Sequence, residues 1–515
     1  MGSEILKYCL ERGFLLDKEI LTLLNQIDIE IARQIVERIN VICKERLITK
    51  SCISKNQSAI QYAFSSEGDK KIVEKLLVNL GLQIEITKET ISERQESRQD
   101  FKILQNFTER SRKIEVVDFV KHFRNRFEDM KNLLKERQEL TNLISINKIS
   151  EDRPGISLIG MVYSKRVTKN KNIILEIEDS TGKISVLINH NRQEVYEKAK
   201  NVLIDDVIGL KCGGSREIVF ANDIIFPDVF VQEKKRSSED EQAIFISDVH
   251  VGSINFLEKN FLKFIDWINN EGEKVRYIFM VGDNIDGVGV HPTQESFLNI
   301  KDIRDQYRKL ADYLSKIRKN IKIFICPGQH DATRLAEPQP AIEKEYSADL
   351  YALENVFPVS NPAMIEVAGL KVLMYHGDSI HDYINEIEYL RTNRGQDTPA
   401  KAVKEMLKRR HLASMHSYAV YVPDEEHDSL MIRDIPDIIT TGEMHRGDID
   451  SYNNILIICN SCWQKTTPYE EKMGNHPIPC KAHLLNLKTR EVKILDFLEE
   501  EQQEKKPELA IEVKT

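Results

Sequence analysis

Five apolar runs in the second half of the chain each end in a short polar cluster. AIFI leads into SDVH (residues 247–250), YIFMV into GDNIDG (282–287), IKIFIC into PGQHD (327–331), LKVLM into YHGD (375–378), and IPDIIT into TGEMHRGD (441–448). Apolar runs of this length without alternation read as strands covered on both faces. Between the first three lie helical patterns, LEKNFLKFIDWINN and IRDQYRKLADYLSKIRKN, in the βαβ manner of a sheet covered by helices. Ligands of such sheets bind at the strand ends, so clusters at five strand ends converge on one crevice. In the last of them, Glu443 and His445 stand at i and i+2 and, in an extended segment, point the same way.

The residue types in that crevice suit one purpose. Asp248, His250, Asp283, Gln329, His376, Glu443 and His445 offer carboxylates, imidazoles and an amide oxygen, a mixture that fits manganese, iron or zinc better than calcium or a thiolate site. Seven ligands exceed what one ion takes, and two ions sharing a bridging carboxylate use them all. Two ions about 3.5–4 Å apart are the arrangement that activates water for displacement at phosphorus.

The rest of the chain sets the context. At 515 residues several domains are expected. Residues 1–80 carry helical spacing, as in KEILTLLNQIDIEIARQIVERIN, and read as a helical N-terminal domain. Residues 81–114 are polar and poor in aromatics and read as a flexible linker. Residues 115–232 hold an amphipathic lead-in helix and then five short strands with one helix before the fourth, the pattern of an oligonucleotide-binding (OB) type barrel, used for nucleic acid or for protein contact. Residues 241–498 carry the five clusters, and 499–515 read as a disordered tail.

Composition narrows the partners. The hydrophobic share of 41% and charged share of 30% describe a soluble globular protein, and no apolar run approaches the roughly 20 residues of a membrane span, so the chain is read as intracellular. A net charge of −9 excludes a general polyanion binder, and any nucleic-acid contact must come from metal ions or local basic stretches such as KAVKEMLKRRH (401–411), which also reads as a solvated helix face. Lys408, Arg409 and Arg410 are its candidates for DNA or partner contact. The eight cysteines are scattered, as reduced thiols are; Cys459, Cys462, His476 and Cys480 have a spacing that zinc accepts, and buried packing is the alternative. His291, His381 and His411 lie near the clusters and read as structural histidines, while Asp286 either holds a ligand or caps a turn.

DVH, GDNIDG, GQHD, YHG and GEMH resemble the five motifs of calcineurin-like metallophosphoesterases, D-x-H, G-D, G-N-H-D/E, H and G-H-x-H. Longer phrases, GDNIDGVGVHPTQE, PGQHDATRLAEPQPAI, NPAMIEVAGLKVLMYHGDSIHD and KEMLKRRHLA, resemble the small subunit of the archaeal family D DNA polymerase, over residues 115–498. The resemblance implies a two-sheet αββα phosphoesterase domain beside the OB barrel. It also implies a 3′–5′ proofreading exonuclease acting on single-stranded primer 3′ ends, with a large polymerase subunit as partner and two divalent ions as cofactors. It leaves open a contact of residues 1–80 with DNA, a sliding clamp or neither, and implies a cytoplasmic, nucleoid-associated protein. By the same resemblance Asp248, His250 and His445 hold one ion, Asp283 bridges, and Gln329, His376 and Glu443 hold the other; His330 is the proton donor to the leaving oxygen and Asp331 orients it. The chain departs from the pattern at Gln329, where asparagine is usual, and at Glu443, where histidine is usual. Both changes fall on the second ion. Glutamate adds a charge that favours manganese or magnesium over iron or zinc. Every position still offers a lone pair, which supports retained activity; the alternative is a weak or inactive scaffold subunit.

Overall fold

Alternation along each buried strand sends successive side chains into different cores, and this builds the layers of the main domain. In the strand Gln242–Ile246, Phe245 faces one core while Ile244 and Ile246 face another. The computed structural model describes residues 4–13, 15–24, 32–33, 36, 47–49, 101–108, 113–150, 153–292, 294–424 and 426–498. The chain divides into two units, Met1–Ser97 and Arg98–Thr515.

In the first unit the described residues form the helices Glu4–Glu11 and Lys18–Leu24 and a two-residue parallel pairing of Leu15–Leu16 with Leu47–Ile48. Most of the segment read as a helical N-terminal domain lies outside the described residues. Most of the linker, and the tail 499–515, lie outside the described residues.

The second unit contains two six-stranded sheets and a closed barrel. The first sheet runs, edge to edge, Val356–Pro358, Lys322–Cys326, Val275–Val281, Gln242–Ile246, Lys481–Asn486, Val492–Asp496, with the first four strands parallel. The second runs Asp448–Tyr452, Ile455–Cys459, Ile438–Thr441, Leu370–Met374, Ala363–Val367, Phe101–Gln105. Between them one core joins Phe245, Phe279 and Phe324, stacked at 5.0 and 5.2 Å, to Ile365, Val372, Met374 and Ile438 of the facing sheet. Helices Glu258–Asn270 and Ile303–Leu314 pack on the outer face of the first sheet, and Ile380–Glu386 and Ala400–Arg409 on that of the second.

The strand Phe101–Gln105 corrects one expectation. Polarity alone assigns residues 101–105 to a flexible linker, yet they pair antiparallel with Ala363–Val367. Phe101 is the reason: its ring meets Phe324 at 5.0 Å and Phe357 at 4.7 Å, an anchor that window-averaged composition hides.

The barrel closes in the order Arg153–Val167, Ile173–Asp179, Gly182–Ile188, Val219–Ile225, Val207–Gly214, with helix Gln193–Lys200 before the fourth strand in sequence. The expected five strands and single helix are present; the first strand is long, at 15 residues. The lead-in helix Val116–Lys135 packs Phe127, Met130 and Leu134 against the barrel residues Ile159, Met161, Val207 and Ile225. Its buried Arg126 donates to Asp428 Oδ2 at 2.5 Å and to the Ser414 carbonyl at 2.6 Å, tying the helix to loops of the two-sheet domain. No helix among the described residues is long and apolar enough to cross a membrane.

The basic stretch 401–411 turns inward rather than outward. Arg409 is buried between Asp206 of the barrel, at 3.1 Å, and Glu405, while Arg410 donates to the carbonyls of Ile432 and Arg433. Neither guanidinium is offered to DNA. Lys408 lies half-buried with its ammonium 4.5 Å from the Phe226 ring centre. His411 is a structural histidine, buried and bonded to Asp428 at 2.8 Å.

Candidate metal centre

Each of the five strand-end loops delivers side chains to one space. Asp248 and His250 follow Gln242–Ile246, Asp283 follows Val275–Val281, His330 follows Lys322–Cys326, His376 follows Leu370–Met374, and Glu443 and His445 follow Ile438–Thr441. Potential ligand atoms of Asp248, His250 and His445 lie within 4.8 Å of one another, as do those of Asp248, Asp283 and His376, and those of His250, Asp283 and His330. The two acids shared between groups, Asp248 and Asp283, are buried.

The backbone reaches this geometry through a left-handed conformation that non-glycine residues seldom adopt. Asp248 (φ 50°), His250 (52°), Asp283 (48°), Glu443 (66°) and His445 (52°) all have positive φ. The extended i, i+2 reading of Glu443 and His445 is thereby corrected: both reach the same space from tight turns, where the polypeptide must reverse within a few residues. Glycines make room. A Cβ at Gly328 would stand 2.2 Å from Asp283 Oδ1 and 2.6 Å from His376 Nε2, and one at Gly282 2.1 Å from His376 Nδ1.

The imidazoles are held by one nitrogen and present the other. His376 Nδ1 donates to the Val281 carbonyl at 2.8 Å, His330 Nδ1 to the Asp286 carbonyl at 2.7 Å, and His445 Nδ1 to Glu470 Oε1 at 2.6 Å. Asp286 Oδ1 stands 3.2 Å from His250 Nδ1, close but without an aligned hydrogen bond. Every Nε2 then faces the shared space: His445 Nε2 is 3.4 Å from Asp248 Oδ1, His376 Nε2 3.4 Å from Asp283 Oδ2 and 3.3 Å from Glu443 Oε2, His330 Nε2 3.9 Å from Asp283 Oδ2. Imidazoles fixed in this way by an oxygen on the far nitrogen are the usual form of metal-binding histidine.

The donors left over fit a divalent cation. Asp248 Oδ1, His376 Nε2 and Gln329 Oε1 are buried with no hydrogen-bond partner. His250 Nε2 and His445 Nε2 face each other at 3.3 Å, so with both Nδ1 groups turned to acids, two lone pairs meet unless a proton or a cation lies there. Burial pushes the His376 ring toward neutrality, but Asp283, Glu443 and Asp248 outweigh it and raise its pKa well above the usual range; for His445 burial is outweighed in the same direction by Cys462, Asp248 and Glu470. Burial likewise pushes Asp283 up, and the surrounding imidazoles, His376 first, hold it well below the usual carboxylate range. Negative charge concentrated around inward-facing nitrogens is what a cation relieves.

One role expectation changes. Asp331 does not touch His330: its Oδ2 accepts from Asn284 N, Asn284 Nδ2 and Gly328 N at 3.0–3.1 Å, and its Oδ1 from the Tyr307 hydroxyl at 3.0 Å. Burial and Asp283 push its carboxyl up to about 6. A carboxylate with so many donors from two loops is saturated, so it staples the second and third loops together, and the Asp286 carbonyl orients His330 instead. The Asp286 side chain meets His250 Nδ1 at 3.2 Å and accepts from Gln294 Nε2 at 3.3 Å. Glu470, on the short helix Pro468–Met473, does not stand out in the sequence; its only signal is the capping pattern Thr467–Glu470, which the structure shows as hydrogen bonds in both directions.

Around the second ion's expected ligands, Gln329 Nε2 donates to Asp378 Oδ1 at 2.8 Å, and His381 Nε2 lies 3.8 Å from Glu443 Oε1. His291 is exposed. Cys459, Cys462 and Cys480 are buried and His476 exposed, and among the described residues no cysteine joins a potential metal-binding group; Cys459 and Cys480 pack in apolar cores, and Cys462 Sγ donates to the Gln464 carbonyl at 3.6 Å.

The family of the B-type subunits of DNA polymerases alpha and epsilon matches residues 243–448, the stretch that carries all five loops. The DNA polymerase II small subunit of Methanothermobacter thermautotrophicus is 34% identical over 409 residues, covering 77% of this chain and 83% of its own. That of Archaeoglobus fulgidus is 34% identical over 458 residues, covering 85% and 90%. That of Pyrococcus furiosus is 37% identical over 398 residues, and the chain spans 64% of its length. Among solved structures, one of an archaeal phosphodiesterase is matched over 49% of this chain and 98% of its own, with 15% identity and a TM-score of 0.27. With identity above 30% across more than four fifths of two such relatives, the chain belongs to the family of archaeal DNA polymerase II small subunits.

Proposed function

We propose that this chain is a metal-dependent 3′–5′ exonuclease that removes mispaired nucleotides from a primer end, as the small subunit of a polymerase whose synthetic site lies on a large partner subunit. One observation carries the reading: three imidazoles with Nδ1 hydrogen-bonded to oxygen turn Nε2 into a single space with Asp248, Asp283 and Glu443. Asp248, His250 and His445 would hold one divalent ion, His376, Glu443 and Gln329 the other, with Asp283 between them. Two such ions, manganese first, supply Lewis acidity to the phosphodiester and lower the pKa of water.

The chain's own residues do the rest. Asp286 and Glu470 fix the rings of His250 and His445. His330 is the most exposed of the four imidazoles that carry an inward Nε2, at 23% of its side chain, against 14% for His445 and less for the others. With Nδ1 spent on the Asp286 carbonyl, its Nε2 is placed to give a proton to the leaving 3′ oxygen. The barrel and the helix Val116–Lys135 then serve the large subunit or the DNA strand.

The test is release of nucleotides from a mismatched 3′ primer in manganese, by the native chain and by His445→Ala. Release by the native chain alone supports the reading. If neither releases nucleotides, the chain is a scaffold subunit whose altered second site has lost its chemistry.

A further inference from the structure

We infer that Asp378 is a positioning residue: it grips the nitrogen of the Gln329 amide and so turns the amide oxygen toward the ion expected beside His376 and Glu443. The inference rests on the two-ion reading above and deepens it by naming what makes a glutamine serviceable there.

A carboxylate only accepts hydrogen bonds, so the end of the amide that faces Asp378 must be nitrogen. Gln329 Nε2 donates to Asp378 Oδ1 at 2.8 Å. Fixing nitrogen fixes oxygen on the other branch of the same planar group, and Gln329 Oε1 is buried with no partner. A buried amide oxygen left without a donor keeps its full desolvation penalty, which a cation removes. The neighbourhood is that of the second site. A Cβ on the adjoining Gly328 would stand 2.6 Å from His376 Nε2, and Asp378 follows His376 by two residues on a loop turned by Gly377 at φ 122°.

Length explains why help is required. Glutamine has one more rotatable bond than asparagine, and the rotamer entropy lost in freezing it opposes binding. A hydrogen bond from Nε2 to a fixed carboxylate freezes that bond before any ion arrives. The same loop that supplies His376 thus supplies the clamp, so two of the second ion's ligands, His376 and Gln329, are set by one turn of chain.

Counting bound Mn2+ by electron paramagnetic resonance and calorimetric titration of the full chain tests this without reference to activity. The native chain is expected to bind two ions. Asp378→Ala should weaken one of them by about 10–100-fold, as loss of a ligand's support commonly does, and leave the other unchanged. Asp378→Asn retains an acceptor for Nε2 without the charge and should stay within about threefold of native. In a Gln329→Ala background, Asp378→Ala should add no further loss, because it acts through Gln329. Circular dichroism of each variant without metal checks that the fold is kept, and the Asn variant supplies a folded comparison should the alanine variant fail to fold. Native-like binding by Asp378→Ala overturns the inference, as does an Asn variant as impaired as the alanine one, which would make charge rather than orientation the cause. Fewer than two ions on the native chain would overturn the two-ion reading itself, and this inference with it.

Discussion

Glu470 Oε1 accepts the His445 Nδ1 hydrogen at 2.6 Å while the same carboxylate, through Oε2, accepts from the Thr467 backbone amide at 2.7 Å and its hydroxyl at 2.8 Å. One side chain therefore completes a capping box and orients an imidazole. Burial pushes Glu470 up, but His445 and Thr467 outweigh it and hold the carboxyl down to about 2.

Replacing Glu470 should show both roles. Glu470→Ala is expected to weaken Mn2+ at the first site about 10–100-fold and, without metal, to lower stability through loss of one half of the capping box. Titration of Mn2+ beside a urea melt measures the two effects separately. Native-like metal affinity in the variant would reduce Glu470 to a cap.

Gly328 has no room for a methyl group. Gly328→Ala places a Cβ 2.2 Å from Asp283 Oδ1 and 2.6 Å from His376 Nε2, so it should abolish binding of at least one ion while far-ultraviolet circular dichroism stays native. Two ions bound with native affinity would show that this loop does not border the centre.

Arg409 is predicted to matter for folding and not for DNA. Arg409→Leu leaves Asp206 and Glu405 buried without their cation, a loss of about 3–5 kcal/mol by the usual cost of breaking a buried pair. Urea denaturation should show it. Where the variant folds, its affinity for single-stranded DNA should match the native value; a selective loss of DNA binding would reverse the assignment.

Acid should loosen the chain through His411. Burial first, together with Arg126, lowers its pKa to about 4 against the pull of Asp428. The unfolded chain, with an ordinary histidine near 6.5, binds the proton more readily. Stability from the neutral ring is therefore complete above pH about 6.5 and lost as pH falls toward 4, by up to about 3 kcal/mol. The midpoint of urea unfolding for the metal-free protein should drop across that window, and the drop should shrink in His411→Gln. An unchanged slope in the variant would place the sensitivity elsewhere.

The site's inventory is legible because its chemistry is written in short runs. Acids and imidazoles directly after buried strands must sit at strand ends, and Asp248, His250, Asp283, His376, Glu443 and His445 all come to one space on that logic alone. The barrel's strand count and its single helix are likewise readable from alternation and turn residues. Second contacts are not. Asp331 adjoins His330 in sequence yet bonds Asn284, Gly328 and Tyr307, because a turn of the third loop sends neighbouring side chains to opposite sides. Arg409 reads as a surface charge until the barrel brings Asp206 against it.

What sequence determined, then, was periodicity and chemical type: which segments are strands, and which residues can grip a cation or a proton. Only the tertiary structure decided partners: Glu470 with His445, Asp378 with Gln329, Asp206 with Arg409, and Phe101 with Phe324. The physical reason is range. Strand and helix patterns arise from forces between residues a few positions apart, whereas a hydrogen-bond partner is chosen by whatever donor or acceptor the packing of distant segments leaves within about 3 Å.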